Sequence, residues 1–520
     1  MSVSTLDTTP QTSAWGVASN AETHAPLPRG YTATAQALHR AGTDPNVFAW
    51  LDHIQPAAGC THPIRLVGTS YTVERTGPDS ARVLDARSTE DMPDGVIYKS
   101  CGNRRATVCP SCAETYRRDA FEVVRTGLVG GKGVPVTVAK HPAVFPTLTA
   151  PSFGMVHTHR TSKTGKAIAC RPRRHPDLCP HGVDLRCHRI HAEDQKILGQ
   201  PSCLDCYDYA HHVVWNNQAP ELWRRTTIAI TRHIRRTARS RGIPGKYVRL
   251  SFGKVAEMQR RGVIHLHAVI RLDGADPLDP TAILPPPACL TVQDLVDAVT
   301  HVANTVTFTT DAHPARPRGW RIRWGKQLRC PPIRVSPDGQ ITDAEAADHL
   351  RVAGYLAKYA TKSTEATGHT SRRLDADTID LYADPDGSHP ERLVDACWTL
   401  GRPKTWRSLR RWAHMLGFGG HFLTKSRRYS VTFRLLRDRR IIWRRTESGT
   451  IAAEHTEQTT LVVNLLAYAG SGWHTTGDAL LANTSAALAR ERRRAAREDL
   501  AHEIGFTLVT HHSTQGGTTA

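Results

Sequence analysis

The chain has no apolar run long enough to cross a bilayer. Its strongest, near Leu461–Tyr468, falls far short of the roughly 20 residues that a spanning helix needs. Residues 1–30 have neither the basic start nor the apolar centre of a signal peptide, being polar and rich in Thr and Ala. Both absences predict a cytoplasmic protein with no membrane partner. Disulfides are disfavoured in that compartment, so the 12 cysteines read first as candidate metal ligands. No G-x-x-x-x-G-K-[ST] phosphate loop occurs: Gly165-Lys166 is followed by Ala167, and Gly325-Lys326 also fails. A built-in ATPase or helicase is therefore not expected. Internal repeats are missing too. Acidic residues are in short supply, 48 Asp and Glu against 68 Lys and Arg, for a formal net charge of +20. That excess favours a polyanionic partner, nucleic acid above all. It recurs in Arg232–Arg241, Arg402–Arg411, Lys425–Arg445 and Arg490–Arg497 rather than in one tail.

Residues 1–44 read as disordered, with Thr, Ser, Pro and Ala in no clear period. A basic helix is expected over 226–241, strands over 246–259 and 263–272, and a Pro- and Asp-rich loop over 273–290. A helix should begin at 291, loop and strand should fill 313–340, and a long helix should follow over about 343–362.

The segment Val263-Ile-His-Leu-His-Ala-Val-Ile-Arg-Leu272 is β-like, and period two puts His265 and His267 on one face. If Arg260-Arg261-Gly262 is a three-residue hairpin loop, Gln259 opposes Val263 and Glu257 opposes His265. Glu257 then joins the histidine face. A carboxylate beside two imidazoles suits Mg2+ or Mn2+ with positions left open for phosphate oxygens. Gln259 is the alternative third ligand. A His-x-His pair among 28 histidines is a weak pattern that two structural histidines also produce; the apolar strand and the neighbouring acid strengthen it. Arg260, Arg261, Lys425, Arg427 and Arg428 are candidate DNA contacts.

Gly354-Tyr-Leu-Ala-Lys-Tyr-Ala-Thr-Lys362 places Tyr355 and Tyr359 one helical turn apart. Thr342 with Glu345 matches a capping box at the start of that helix. Val352, Tyr355, Leu356 and Tyr359 share a stripe, and Lys358 and Lys362 run beside it. Core aromatics show the same spacing, but the lysines and the upstream histidines favour chemistry. A phenol titrates near about 10 and needs a neighbouring cation to act as a nucleophile. Lysines can hold the phosphate as point charges.

Nine of the cysteines fall between Cys60 and Cys206. Cys179, Cys187, Cys203 and Cys206 have the form C-x7-C-x15-C-x2-C, which suits tetrahedral Zn2+; Cys170, His181 and His188 are possible substitutes. Cys101, Cys109 and Cys112 form a second candidate zinc site, with Cys60 or His62 as fourth ligand. Closed thiolate sites of this kind are usually structural.

In combination these pieces resemble the rolling-circle replication initiators of the HUH endonuclease superfamily, where histidine pair precedes tyrosine. Phe145-Pro-Thr-Leu-Thr-Ala-Pro-Ser-Phe-Gly154 is similar to a further strand signature of that family, and Tyr-x-x-x-Tyr followed by lysine is similar to its two-tyrosine class. Cys109-Pro-Ser-Cys112, Cys206-Tyr-Asp-Tyr209, His212-Val-Val-Trp-Asn216 and Glu221-Leu-Trp-Arg-Arg225 resemble initiators of actinobacterial plasmids and integrative conjugative elements. The resemblance covers roughly residues 50–445. It implies an α+β fold with an antiparallel sheet carrying the histidines and a helix carrying the tyrosines. It also implies that a tyrosine nicks single-stranded origin DNA, joins the 5′ end and leaves a 3′ hydroxyl as primer, with a host helicase and DNA polymerase as partners. The expected division is a tail over 1–44, a zinc module over 45–130, a catalytic domain over 131–365 with a zinc-binding insertion at about 160–210, a basic DNA-contacting part over 366–445, and a C-terminal helix and loose tail over 446–520. A two-tyrosine transposase shares this chemistry. A non-catalytic zinc-containing DNA-binding regulator accounts for the charge and the cysteines but not for the paired histidines and tyrosines.

Overall fold

The computed structural model describes residues 30–76, 80–333, 343–361, 373–447 and 460–503. The chain divides into two compact units, one of Met1–Asn103, Thr107–Cys112 and Ile451–Ala520, the other of Arg104–Ala106 and Ala113–Thr450. Both mix helices with antiparallel sheet. No helix among the described residues is long and apolar enough to cross a membrane.

In the first unit the strand Ile64–Arg75 pairs with Thr460–Ser471 and also with Ala81–Ser88 and Ile97–Lys99. Trp50, Ile54, Ala57, Val96, Tyr98 and Ala482 make a small core. Buried Arg40 ties the unit together, bonding Asp94 at 2.8 Å and Asp478 at 3.0 Å. Two expectations change here. Residues 33–43, expected in a disordered tail, form the helix Ala33–Thr43, capped by Thr32 and anchored through Arg40. The partners that order it are distant in sequence, so local composition reads as disorder. The 446–520 stretch contributes not only a helix, Thr476–Glu503, but also the strand Thr460–Ser471. The loose ends expected at 1–29 and beyond 503 lie outside the described residues.

The second unit is built on the hairpin of Val248–Met258 and Ile264–Gly274. Ile264–Gly274 also pairs with Ala143–Val144 and Thr147–Leu148, which pair in turn with Pro332–Ile333 and Leu328–Arg329. Leu423–Lys425 extends the sheet beside Val248–Met258. Strand alternation sends Ile264, Leu266, Ala268, Ile270 and Leu272 into a core with helices Tyr209–Ser240, Val292–Thr305 and His389–Leu400. Val255 and Val269 face the other way, into a core with Ala353, Leu356, Ala357 and Ala360 of the helix Asp343–Ala360 and with Ala120, Val124 and Leu128 of Pro110–Val129. Helices on both faces explain why the histidine strand is apolar on both sides.

The expected boundaries near 130 and 365 do not coincide with breaks in the fold. Ala120, Val124 and Leu128 already belong to the second unit's core, and the division falls after Cys112. Leu393, Val394, Cys397, Leu409 and Phe418 share a core with the histidine strand, and Leu423–Lys425 completes its sheet.

Candidate active site and metal centres

The loop Arg260-Arg261-Gly262 turns the hairpin in the predicted register. The Gln259 N–H donates to the Val263 carbonyl at 2.9 Å, and Glu257 pairs with His265. Gly262 has φ +83°, and Leu393 and Leu416 stand where a Cβ would project, so only glycine fits without strain. Asn216, fully buried on the helix Tyr209–Ser240, locks this turn. Its Nδ2 donates to the carbonyls of Gly262 at 2.8 Å and Leu416 at 2.9 Å, and its Oδ1 accepts from the Ile264 N–H at 3.0 Å.

Glu257, His265 and His267 each bring one ligand atom within 4.8 Å of the others. His267 is held at both ring nitrogens: Nε2 lies 3.2 Å from Glu257 Oε2 and Nδ1 lies 3.2 Å from Thr147 Oγ1. Thr147 sits directly across from His267 on the neighbouring strand. His265 Nδ1 is 3.1 Å from Gln259 Nε2, while its Nε2 is buried with no hydrogen-bond partner. Burial, reinforced by His267, lowers the His265 pKa to about 4, so the ring is neutral at pH 7, the form that ligates metals. An orphaned buried nitrogen beside a carboxylate and a second imidazole fits a divalent cation. Gln259, the alternative ligand, bonds the far nitrogen of His265 and accepts from Arg261 Nε at 3.2 Å.

Both tyrosines reach this group. The Tyr355 ring lies 5.1 Å from that of His267 and the Tyr359 ring 5.4 Å, with 4.5 Å between the two phenols. Phe145 packs on Tyr355 at 5.9 Å and on His267 at 6.2 Å. Tyr355 is 39% exposed and Tyr359 is half-buried. Burial, with the hydrogen bond to Tyr359 and the negative charge of Glu257, pushes the Tyr355 phenol above its ordinary range. A phenolate here therefore needs added positive charge. Lys358 is exposed on the same helix, while Lys362 and the capping residue Thr342 lie outside the described residues.

The candidate DNA contacts divide into two places. Exposed Arg260 donates to the Gln195 carbonyl at 2.9 Å, and half-buried Arg261 bonds Gln259. Lys425, Arg427 and Arg428 lie on and just after the edge strand Leu423–Lys425, one strand removed from the histidines. There Arg428 Nε already donates to the Pro280 carbonyl at 3.1 Å.

Cys60, Cys101, Cys109 and Cys112 come together in the first unit, so Cys60 rather than His62 completes that group. Sulfur separations are 3.6 Å for Cys101–Cys112 and 3.8 Å for Cys60–Cys109 and Cys60–Cys112. A disulfide measures about 2 Å. The edge of a ZnS4 tetrahedron with bonds of about 2.3 Å is about 3.8 Å. Hydrogen bonding with Cys60 holds the Cys112 thiol below its ordinary range.

The expected set Cys179, Cys187, Cys203 and Cys206 is not brought together. Cys179, Cys203 and Cys206 group with His181, and Cys187 lies with His157, Cys170 and His191. The reason is backbone pairing: Arg171 and Cys187 exchange hydrogen bonds of 2.7 and 3.0 Å, which carries Cys187 toward Cys170. His157 and His191 were missed in the sequence. The C-x3-H spacing of Cys187 and His191 was the available signal.

The chain matches the family described as RepSA: Replication initiator protein, pSAM2, over residues 46–487. It is similar to a replication initiator protein of Streptomyces ambofaciens, 40% identical over 478 residues that cover 90% of this chain and 96% of that one. No solved structure matches. The matched span takes in the histidine hairpin, both tyrosines and every cysteine–histidine group described above, and the chain belongs to the RepSA family of replication initiator proteins.

Proposed function

We propose that this protein initiates DNA replication by nicking one strand at an origin with a tyrosine, in the manner of two-tyrosine HUH initiators. The observation that carries this reading is the packing of Tyr355 and Tyr359 against His267, within the Glu257–His265–His267 group. Family membership supports the initiator role.

A Mg2+ or Mn2+ ion held by Glu257, His265 and His267 would supply the positive charge that polarises the scissile phosphate. Thr147 fixes the His267 imidazole from behind, at the ring nitrogen that faces away from Glu257. Tyr355, the more exposed phenol, meets the strand first. Its oxygen bonds to phosphorus while the 3′ oxygen leaves and ends as a hydroxyl carrying the phenolic proton. The DNA 5′ end is then joined to the tyrosine, and the 3′ hydroxyl primes rolling-circle synthesis on a plasmid or integrative element. Tyr359, one turn away, performs the second exchange that releases the copied strand. Lys358, and Lys362 beyond it, would hold phosphates, as would Arg260 and Arg261 of the hairpin loop and Lys425, Arg427 and Arg428 on and just after the edge strand. Unwinding and synthesis fall to a host helicase and polymerase in the cytoplasm. The cysteine groups hold structural zinc.

The test is a labelled single-stranded origin oligonucleotide incubated with the protein and Mn2+. A covalent adduct is expected from the wild type and none from the Tyr355→Phe, Tyr359→Phe double variant. An adduct surviving in that variant removes the assigned nucleophiles, and no adduct from the wild type favours a DNA-binding regulator.

A further inference from the structure

We infer that residues 155–206 form a cross-braced module with two zinc ions, in which His157, Cys170, Cys187 and His191 hold an ion of their own beside the one held by Cys179, His181, Cys203 and Cys206. In chain order the ligands alternate in pairs: His157 and Cys170, then Cys179 and His181, then Cys187 and His191, then Cys203 and Cys206. The first and third pairs converge on one point and the second and fourth on another. Each ion therefore closes a loop that contains ligands of the other.

The donor chemistry fits at both points. His191 Nε2 lies 3.3 Å from Cys187 Sγ, and His181 Nδ1 lies 3.2 Å from Cys206 Sγ and 3.8 Å from Cys203 Sγ. A tetrahedral zinc with one nitrogen and one sulfur ligand sets that edge at about 3.5 Å. The His191 ring is oriented from behind, its Nδ1 2.9 Å from Gln195 Oε1, which leaves Nε2 for an ion. His157 Nδ1 is buried and has no hydrogen-bond partner. The Thr158 N–H donates to Cys170 Sγ at 3.2 Å, which holds the sulfur in place beside His157 and His191.

Folding of the segment supplies an independent argument. Its regular structure is limited to the two short strands Arg160–Thr161 and Ala167–Ile168. Its buried side chains are Cys170, Cys179, Cys187, His191, Leu198, Pro201 and Cys203, so the proposed ligands occupy most of the places a core would fill. A stretch this poor in apolar burial cannot offset its own ordering entropy, and bound metal is the usual substitute.

The module also contacts the hairpin loop Arg260-Arg261-Gly262. The Gln195 carbonyl accepts from Arg260 in the hairpin loop at 2.9 Å. Gly199, at φ +87°, lies against the backbone of Arg260 and Arg261, where an added Cβ would come within 2.7 Å of the Arg261 nitrogen. The ion is thus connected through His191 and Gln195 to the turn that sets Glu257 opposite His265.

The experiment counts thiolate-bound zinc. The full-length protein is washed with EDTA, and zinc is released with an organomercurial that displaces metal only from sulfur, so an ion at Glu257, His265 and His267 does not contribute. Three equivalents per chain are expected, two from this module and one from the Cys60 group. Cys170→Ser and His157→Ala should each lose at least one equivalent and keep the one in the Cys60 group. Loss of two by either variant also supports the module, because cross-braced sites come apart together. Release of only two equivalents from the wild type overturns the proposal, as does full zinc retention in both variants. The wild-type count decides the matter even if a variant fails to fold.

Discussion

The ring of Tyr355 stands nearly perpendicular to that of His267, 84° between planes with centroids 5.1 Å apart, whereas Tyr359 lies closer to parallel at 32°. The two phenols thus approach the same imidazole differently, and only Tyr355 is exposed. Tyr355→Phe should reduce nicking of a single-stranded origin oligonucleotide at least roughly 10⁴-fold, the scale on which loss of a nucleophile acts. Tyr359→Phe should leave the first nick largely intact and impair the second cleavage. Gel analysis of adducts on substrates carrying one or two nick sites separates these outcomes; the reverse pattern would exchange the assignments.

Thr147 reaches His267 from the adjacent strand and fixes the ring nitrogen that faces away from Glu257. Thr147→Ala should weaken Mn2+ binding by about 10–100-fold, as removal of a partner behind a ligand commonly does. Glu257→Ala should weaken it further. Titration followed by the Mn2+ EPR signal measures both directly. An unchanged affinity in Glu257→Ala would remove Glu257 from the ligand set.

Asn216 satisfies three backbone groups at once, the carbonyls of Gly262 and Leu416 and the N–H of Ile264. Asn216→Ala leaves these buried groups unpaired and should cost roughly 3 kcal/mol or more. Urea unfolding reports the loss. The variant should also bind Mn2+ more weakly, because the turn that positions His265 loosens with it. A loss below about 1 kcal/mol would mean that backbone or solvent replaces the amide.

The hairpin register was legible because both its signals are local: the period of two across His265 and His267, and a glycine at the turn. The tyrosine helix was legible for the same reason, through its apolar stripe. What stayed hidden depends on partners far apart in sequence. Arg40 meets Asp478, and Ile64–Arg75 meets Thr460–Ser471, across most of the chain. Cys187 is drawn from Cys179 toward Cys170 by a backbone pairing with Arg171 that ligand spacing does not encode. Asn216 read only as part of a motif, since its target is a turn brought to it by the fold.

Lys254 gives a prediction of a different kind. It lies on Val248–Met258, only 3% exposed, on the strand face that Ala256 and Met258 share. Burial lowers its pKa from the ordinary 10.5 to about 8. Below about pH 8 the ammonium is charged in both folded and unfolded states, and burying it costs roughly 3 kcal/mol. Between about pH 8 and 10.5 the unfolded chain holds more of this proton than the folded one, so the folded state gains stability as pH rises. Lys254→Met removes the buried charge and keeps an unbranched side chain only one atom shorter. It should therefore raise the urea midpoint at pH 7, with the advantage over wild type shrinking steadily toward pH 10. Comparing the two proteins at each pH cancels the titration of every other group. An advantage that stays constant across this range would show that the Lys254 ammonium reaches water, and that packing alone separates the two proteins.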